Sequence, residues 1–406
     1  MTETQTKIPG NVVTMKELDS REQKLNPFPV YRQLRENTPV RFDPDRQCWD
    51  FFRYEDVRHI LRDPESFSSK RTFSANQQGS IISESLITTD PPKHRELRSL
   101  ISKAFTPKRV EQLGPSIQQI VDDLLEQVLD QGRMEVVSDL ASPLPVIVIA
   151  RLLGVPREDQ LLFKKWSDTI VKGEEGESRE AVRSILLEKQ QAETELVTYF
   201  RKIIAERSRH PQNDLISALL AAEVEGEKLS ESTLLAFCVL LLIAGNETTT
   251  NLITNGIRLL TEKPDLQRHL REKATLIPGF IEETLRYYPP VQSLTRTATT
   301  SLNIRGNKVG KGEMVIIYLA SANRDSEQFL EPDMFQMERK PNPHLSFGLG
   351  NHFCLGAPLA RLESKIVFES LFKHIKGMKA MAHDQMQPLP SPVVFGLQSY
   401  PITLET

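Results

Sequence analysis

The spacing of apolar residues along the chain predicts a protein that is mainly helical. From Pro91 to about Ser208, apolar residues recur every three or four positions, which is the period of an amphipathic helix. Residues Glu231 to Glu262 are predicted to form one helix of unusual length, and two shorter helices follow Pro264. The centre of the long helix, Leu234 to Gly245, is apolar on all sides, which indicates that it is buried.

A smaller β region is predicted in two places. The segment from Val40 to Tyr54 has the composition of a β-hairpin, and residues Val291 to Ile317 alternate apolar and polar positions between glycine turns. Residues Asn323 to Leu349 are rich in proline, asparagine and aspartate, which predicts a long loop, and a further helix begins near Ala357. The predicted fold class is therefore mainly α with a smaller β region.

The sequence shows no boundary between domains. A chain of 406 residues would by length alone suggest two or three of them. However, no glycine/serine linker, repeat, low-complexity tract or long block of like charge separates one part from another. We therefore predict one domain over residues 1–406, in which residues 1–20 form a loosely ordered N-terminal segment.

The composition argues against several classes of partner. The net charge of −3 gives no overall attraction to nucleic acid or to an acidic membrane surface. The N-terminus has neither a basic segment nor an apolar core, so we expect no signal peptide and no membrane anchor. The apolar run Leu234 to Gly245 is too short to span a bilayer. Three separated cysteines, Cys48, Cys238 and Cys354, argue against a disulfide framework and for a reducing compartment, by default the cytoplasm.

One cysteine lies in a sequence that suits a metal ligand. Cys354 stands in a glycine-rich turn just before the helix near Ala357. The free N–H groups and the positive dipole end of a helix favour a thiolate, so the pKa of the Cys354 thiol is predicted to be lowered. Glycines let the backbone approach a flat cofactor and donate to sulfur. The alternative interpretation is that Cys354 is an inert, small apolar residue.

The stretch from Phe347 to Gly356 decides between these interpretations. It resembles the haem-binding loop of the cytochrome P450 superfamily at every defined position, namely Phe347, Gly350, His352, Cys354 and Gly356. The resemblance implies a single-domain P450 fold with a long central helix over the haem, haem b as cofactor and Cys354 as axial ligand of the iron. A thiolate ligand increases electron density on haem iron and favours O–O cleavage, so the implied reaction is monooxygenation.

A second motif lies in the middle of the long helix, where Ala244-Gly245-Asn-Glu247-Thr248 interrupts an apolar run. A buried acid costs free energy unless it is paired or used. One interpretation is structural: Thr248 bonds back to a helical carbonyl and Glu247 pairs with a basic residue. The motif also resembles the distal segment of cytochromes P450, which implies that Thr248 lies over the distal haem face and Glu247 helps to relay protons. Ala244 and Gly245 would keep that face small enough to admit O2.

A third motif, Glu283-Thr-Leu-Arg286, places an acid and a base three residues apart on a helix. The ordinary interpretation is a surface ion pair of small energy. The motif resembles the P450 Glu-x-x-Arg pair, which implies a buried, structural pair behind the cysteine loop. The family's third member is an arginine at the position of Met334, which cannot serve; Arg339 and His344 are the candidates to replace it.

Four basic residues are candidates to anchor the haem propionates, because two buried carboxylates must be paired with cations. His94 and Arg98 have i, i+4 spacing, which places both on one helical face. Each would by itself be a solvated surface charge. Together with Arg296 and His352 they resemble the propionate-binding residues of soluble bacterial P450s.

The resemblance also implies a substrate pocket with walls from separated, mostly apolar segments. Two such segments are 73–86, just after Arg71, and 163–171. The residues expected to line the pocket are Leu240, Ile243, Val291, Leu294, Val394 and Phe395. This lining suits a lipophilic substrate of the fatty acid, steroid or terpenoid class, and Arg71 could meet a carboxylate.

Electrons must come from another protein, since the sequence has no flavin or nicotinamide fingerprint and no iron–sulfur cysteine cluster. A ferredoxin or flavodoxin with its reductase is the expected partner, and the enzyme is expected to be a monomer. The resemblance implies a basic patch near the proximal side for an acidic carrier, made by Lys103, Lys108, Arg109 and Arg361.

Three alternatives stay open. A peroxygenase would use hydrogen peroxide directly, but such relatives characteristically lack the acid–alcohol pair that Glu247 and Thr248 form. A haem sensor or electron carrier would use the iron without substrate turnover. A helical interaction protein without haem would leave three separated motifs unexplained. The sequence does not name the substrate, the oxidised carbon or the electron donor.

Overall fold

Helices form most of the structure, as the apolar spacing predicts. The computed structural model describes residues 14–70, 81, 85–171, 179–381 and 385–405. In chain order, its helices are α1 Arg21–Leu25, α2 Phe28–Asn37, α3 Tyr54–Arg62, α4 Lys93–Ala104, α5 Pro107–Glu111, α6 Gly114–Leu129, α7 Pro143–Leu152, α8 Gln160–Val171, α9 Arg179–Arg209, α10 Leu215–Ala221, α11 Glu231–Glu262, α12 Pro264–Glu272, α13 Ile277–Tyr287, α14 Leu319–Ala322 and α15 Ala357–His374.

The strands are short, and most of them lie within residues 40–68, 293–318 and 377–405. They are β1 Val40–Asp43, β2 Cys48–Phe51, β3 Phe67–Ser68, β4 Arg133–Glu135, β5 Glu223–Val224, β6 Glu227–Lys228, β7 Ser293–Ala298, β8 Leu302–Ile304, β9 Asn307–Val309, β10 Met314–Tyr318, β11 Gly377–Ala380, β12 Gln387–Pro388, β13 Leu397–Ser399 and β14 Pro401–Glu405.

The largest described sheet has the strand order β1-β2-β10-β7-β3. Strands β1 and β2 are the predicted hairpin, and β10 joins β2 in parallel. Strand β7 pairs antiparallel with β10, with Arg296 opposite Val315. A second sheet, β11-β14-β4, brings the C-terminal strands onto the helical half. The sequence predicted the hairpin and the strands within 291–317, but not that they pair in one sheet. It did not predict the second sheet, because the strands of that sheet are short and distant in sequence.

Helix α11 forms the centre of the fold. It begins after Ser230, whose hydroxyl accepts a hydrogen bond from the N–H of Thr233, and it ends just before Pro264. The helix is long and apolar enough to cross a membrane, yet 61% of its most apolar window is buried inside the protein. Helices α7, α8, α9, α12, α13 and α15 all contact it. Since its partners are helices of the same chain, α11 is a core helix.

The predicted long loop connects α14 to α15 and carries the cysteine. Its path is fixed by polar contacts. The amide of Asn323 donates to Ser346 Oγ at 2.8 Å and accepts from the N–H of Leu345 at 2.7 Å. Ser346 Oγ in turn donates to the carbonyl of Leu285 in α13 at 2.6 Å. The loop is therefore held against α13 just before it reaches Phe347.

The N-terminal segment is described only in part. Residues 1–13, which make up most of the segment predicted to be loosely ordered, lie outside the described residues. Met15 and Leu18 are buried in the core. The described part of the segment therefore packs against the rest of the protein.

Candidate active site

Cys354 lies between a short 3-10 turn, Gly350–His352, and the first turn of α15. Its N–H donates to the carbonyl of Phe347 at 2.8 Å, which closes the loop on itself. The side chain is half-buried. As predicted, Cys354 lies in a turn that leads into the N-terminus of a helix.

The pKa of the Cys354 thiol does not follow the prediction. Burial raises it above its ordinary value, although the backbone N–H groups of Gly356 and Ala357 and the guanidinium groups of Arg98 and Arg361 act in the opposite direction. The predicted net lowering is therefore wrong for the polypeptide alone, because desolvation of the sulfur outweighs the helix terminus. A coordinated metal ion would supply the difference, since it deprotonates a thiol ligand outright.

Gly350 is required by the packing of the loop. Its φ of +70° is in the left-handed region, and a Cβ at this position would lie 2.9 Å from the carbonyl oxygen of Leu61. Leu61 belongs to α3, a helix that the sequence analysis did not identify, although Val57, Ile60 and Leu61 have helical spacing. The glycine thus permits close approach to another helix, in addition to its predicted role near a cofactor.

The structure brings the four candidate propionate anchors together. His94 and Arg98 come from α4, Arg296 from β7, and His352 from the cysteine loop. The rings of His94 and His352 are 4.2 Å apart between centroids. Burial, followed by repulsion from His94, Arg296 and Arg98, lowers the pKa of His352 to about 3, and burial and Arg98 also lower the pKa of His94. In the protein without a ligand, both imidazoles are therefore held in the neutral form beside the positive charges of Arg98 and Arg296.

The cluster fits the carboxylates of haem. Both ring nitrogens of the buried His94 and Nε2 of His352 have no hydrogen-bond partner among the described residues. Buried polar groups are normally satisfied, so unpaired nitrogens beside two arginines indicate a site for an anionic, hydrogen-bonding group. Arg98 is also close enough to Cys354 for the two groups to influence each other's pKa. The Cys354 thiol and the basic cluster are therefore close together, as they must be if both are to bind one haem.

The distal motif lies on an accessible part of the middle of α11. Between Leu234 and Leu260 this fully described helix is buried or half-buried at every residue except Ala244, which is exposed. Thr248 lies one turn later, and its hydroxyl donates to the carbonyl of Ala244 at 2.7 Å. Burial raises the pKa of Glu247, and Lys189 of α9 opposes this. The back-bond of the structural interpretation is therefore present, and Lys189 is near enough for its charge to act on the Glu247 carboxyl.

Gly245 lies where α11 packs against α7. A Cβ at this position would lie 2.7 Å from Cδ1 of Ile149 in α7, so a larger residue would require the isoleucine side chain to shift. Gly245 is half-buried and Ala244 is exposed. The predicted role of both small residues at the distal face stays a prediction.

The Glu283–Arg286 pair is fully buried, and its third member is Arg339. Arg286 donates to both carboxylate oxygens of Glu283, at 2.7 and 2.8 Å, and Arg339 Nε donates to Glu283 Oε1 at 3.1 Å. Met334 has an exposed side chain but supplies its carbonyl oxygen to both arginines. His344 binds Glu282 instead. Of the two candidates that the sequence left open, the structure selects Arg339.

The predicted pocket residues come from three parts of the fold. Leu240 and Ile243 belong to α11, and Leu294 belongs to β7. Val291 and Val394 face each other in an isolated antiparallel bridge. Residues 71–80 and 82–84, including Arg71, lie outside the described residues, as does the side chain of Val171.

Phe395 is a correction to the predicted pocket. Its ring is 2% exposed and lies in an aromatic cluster, 5.4 Å from the rings of Phe28 and Tyr288. A residue in this position packs the core behind the pocket wall. Asn255 of α11, which the sequence analysis missed, donates to the carbonyls of Tyr288 and Phe395 and so ties this wall to the central helix. A buried amide within an apolar helix was the available signal.

Of the four residues of the predicted basic patch, only Arg361 has an acidic partner among the described residues. Lys103 Nζ donates to the carbonyl of Glu223 at 2.6 Å, Arg109 to that of Asp214 at 3.3 Å, and Arg361 forms an ion pair with Glu282 at 2.7 Å. Lys108 is exposed. The charge of Arg361 is thus compensated within the protein.

Comparisons with known proteins give the family. A family profile described as "Cytochrome P450" matches residues 45–406. Cytochrome P450 109 of Bacillus spizizenii is 46% identical over 396 residues, which are 97% of this chain and 96% of that protein. The crystal structure of substrate-free CYP109E1 from Bacillus megaterium is 44% identical, with a TM-score of 0.91 over 94% of this chain and 99% of that one. A structure of CYP109E1 in complex with corticosterone is 43% identical, with a TM-score of 0.87 over 95% and 100%.

These matches extend over nearly the whole chain, and the fold and the cysteine loop agree with them. A mainly helical protein with a small sheet, a cysteine just before a helix and a cluster of basic side chains is the expected form of such a protein. The chain belongs to the cytochrome P450 family, and it is accordingly an oxidoreductase, a monooxygenase that binds haem b.

Proposed function

We propose that this P450 oxidises steroids or similarly apolar molecules, with Cys354 as the axial ligand of haem iron. The observation that carries the assignment of the site is the buried cluster of His94, Arg98, Arg296 and His352 beside the cysteine. The two propionates of haem would accept hydrogen bonds from these side chains, which would satisfy donor nitrogens of the unpaired histidine rings. Phe347, Gly350 and Gly356 would complete the loop around the ligand.

Bound haem supplies the chemistry of oxygen activation, and the residues of α11 supply protons. Because burial raises the pKa of Glu247, its carboxyl can hold a proton closer to neutral pH than an exposed glutamate can. The positive charge of Lys189 opposes this rise in the pKa, so the carboxyl of Glu247 can also release its proton. The hydroxyl of Thr248, one residue further, can donate a proton while it accepts one from Glu247 or from water. Exposed Ala244 leaves space beside this hydroxyl.

Thr248→Ala is expected to uncouple electron consumption from product formation. Without the hydroxyl, protons are no longer delivered in the correct place, so product formation falls by about 10²-fold and hydrogen peroxide accumulates. Product and peroxide formed per NADPH measure this in a reconstituted system. Thr248→Ser keeps the hydroxyl and is the matched control, for which near-normal coupling is expected. An alanine variant with unchanged coupling would contradict the proton-delivery role, whereas NADPH consumption without any product in the wild-type protein would favour a sensor or carrier.

The proposed substrate class rests on the pocket lining and on relatives. Leu240, Ile243, Val291, Leu294 and Val394 are all apolar, so they would exclude water and recognise shape more than charge. CYP109E1 was crystallised in complex with corticosterone and with testosterone. A more distant relative, P450BioI, was crystallised with hexadec-9Z-enoic acid linked to an acyl carrier protein. Steroids are therefore our first choice, and fatty acyl chains are the alternative.

A binding titration tests the substrate class. Testosterone is expected to change the haem absorption spectrum of the purified protein in a saturable way, and hexadec-9Z-enoic acid is expected to bind more weakly. Val291→Phe, which fills the pocket at the Val291–Val394 bridge, should weaken testosterone binding at least about tenfold, an effect of 1.4 kcal/mol. A response to the fatty acid alone would move the assignment to fatty acids. No response to either compound would contradict a pocket for long apolar molecules.

The enzyme is expected to depend on a separate electron donor. A separate ferredoxin or flavodoxin with its reductase would deliver electrons, and exposed Lys103 and Lys108 are candidates for contact with an acidic carrier. We propose that the protein works as a cytoplasmic monomer of one domain. The presence of both Glu247 and Thr248 favours this enzyme over a peroxygenase.

A further inference from the structure

Glu282 joins the two segments that flank Cys354. It lies on α13, directly before the buried Glu283, and its side chain is directed at the cysteine loop. Arg361 of α15 donates to both carboxylate oxygens of Glu282, at 2.7 and 2.8 Å. Nε2 of His344 is 3.1 Å from Oε2 of the same carboxylate. His344 precedes Cys354 in the chain and Arg361 follows it, so one carboxylate binds both ends of the loop.

The partners of Glu282 also enclose Phe347, the first residue of the cysteine loop. The guanidinium carbon of Arg361 lies 4.5 Å from the centroid of the Phe347 ring, and the His344 ring is 6.0 Å away. The carbonyl of Phe347 accepts the hydrogen bond from the N–H of Cys354. A continuous set of contacts therefore leads from Glu282 through Arg361 and Phe347 to the backbone of the cysteine.

The pair also has an electrostatic effect on the sulfur. Arg361 is near enough to lower the pKa of the Cys354 thiol, and the thiolate in turn raises the pKa of Arg361. Burial opposes ionisation of Glu282, but hydrogen bonds from Arg361 and His344 hold its pKa at about 2. Glu282 is therefore negatively charged at any pH at which the enzyme works, and its charge offsets that of Arg361.

We propose that Glu282 is a positioning residue for the thiolate loop, which ties its two ends together and limits the positive charge that Arg361 presents to the sulfur. This rests on the proposed function, in which Cys354 binds haem iron. An ordinary surface ion pair would contribute little. Here, however, the side chains of Arg361 and Glu282 are only 38% and 32% exposed, and the geometry is bidentate with a third partner.

The direction in which the reduction potential of the haem iron shifts distinguishes this role from a merely structural one. Reduction of the iron adds negative charge, so extra positive charge near the sulfur favours the reduced state. Glu282→Gln leaves Arg361 uncompensated and is expected to shift the reduction potential to a more positive value. Arg361→Gln leaves Glu282 uncompensated and is expected to shift it to a more negative value. The double variant restores the local charge and should return close to the wild-type potential.

The test is a spectroelectrochemical titration of the haem-loaded protein at pH 8, above the ordinary titration range of histidine. Glu272→Gln, an exposed carboxylate on α12, is the matched control for the charge change and should not shift the potential. Opposite shifts in the two single variants, cancelled in the double variant, are the expected result. Shifts of the same sign, or none, would overturn the proposal. The spectrum of the reduced wild-type protein with carbon monoxide tests thiolate ligation separately, so failure of the proposed function would be recognised independently.

Discussion

Replacing Cys354 by serine is expected to remove the thiolate-type spectrum and all monooxygenase activity. A serine oxygen is a poorer electron donor to haem iron, so the O–O bond would no longer be cleaved productively. The measurement is the absorption spectrum of the reduced protein with carbon monoxide. The wild-type protein should show a strongly red-shifted Soret band, which the variant lacks, and product formation should fall to the background rate.

Cys48→Ala is the matched control for this experiment. Cys48 is buried in β2, and its burial raises the pKa of its thiol to about 12, which makes it an unreactive structural residue. The control should keep the red-shifted band and lose only a little stability. Persistence of that band in Cys354→Ser, or its absence from the wild-type protein, would show that Cys354 is not the iron ligand.

The second large effect is expected on stability, from Glu283→Gln. The side chain of Glu283 is fully buried between Arg286 and Arg339, and Asn342 Nδ2 and the N–H of Gln336 also donate to it. Loss of its charge would leave two buried guanidinium groups without an ionic partner. The free energy of unfolding should fall by about 3–5 kcal/mol, as measured by urea denaturation followed by circular dichroism.

An exposed pair provides the comparison. Glu338 lies 3.9 Å from Lys273, and both side chains are largely exposed. Glu338→Gln should change the free energy of unfolding by less than about 1 kcal/mol. If Glu283→Gln were equally mild, the buried cluster would not be a structural requirement of the cysteine loop.

The parts of the fold that depend on local sequence were predictable. Helix α11 was predicted with its observed bounds because the cap at Ser230 and the stop at Pro264 are local signals. The hairpin β1–β2 is equally local. The β11-β14-β4 sheet was missed because it joins strands that are far apart in the chain and too short to show a period.

The sequence predicted those parts of the site that a motif defines. It did not predict the properties that depend on burial. The motif placed Cys354 correctly, but the pKa of its thiol depends on desolvation, which no sequence pattern reports. Phe395 was apolar and near the right place, yet its ring faces the core. No sequence pattern indicated a role for Glu282, because its partners come from two other segments of the chain. The Glu-x-x-Arg motif indicated only the neighbouring Glu283.

The choice of Arg339 as third member has a consequence for how this motif is recognised in sequences. Arg339 reaches Glu283 from a loop position five residues after Met334, while the backbone carbonyl of Met334 still binds both arginines. The second positive charge beside the buried acid is thus supplied from a place that the family pattern does not specify. A search that requires an arginine at the position of Met334 would discard this chain, although the ion cluster in its structure is complete.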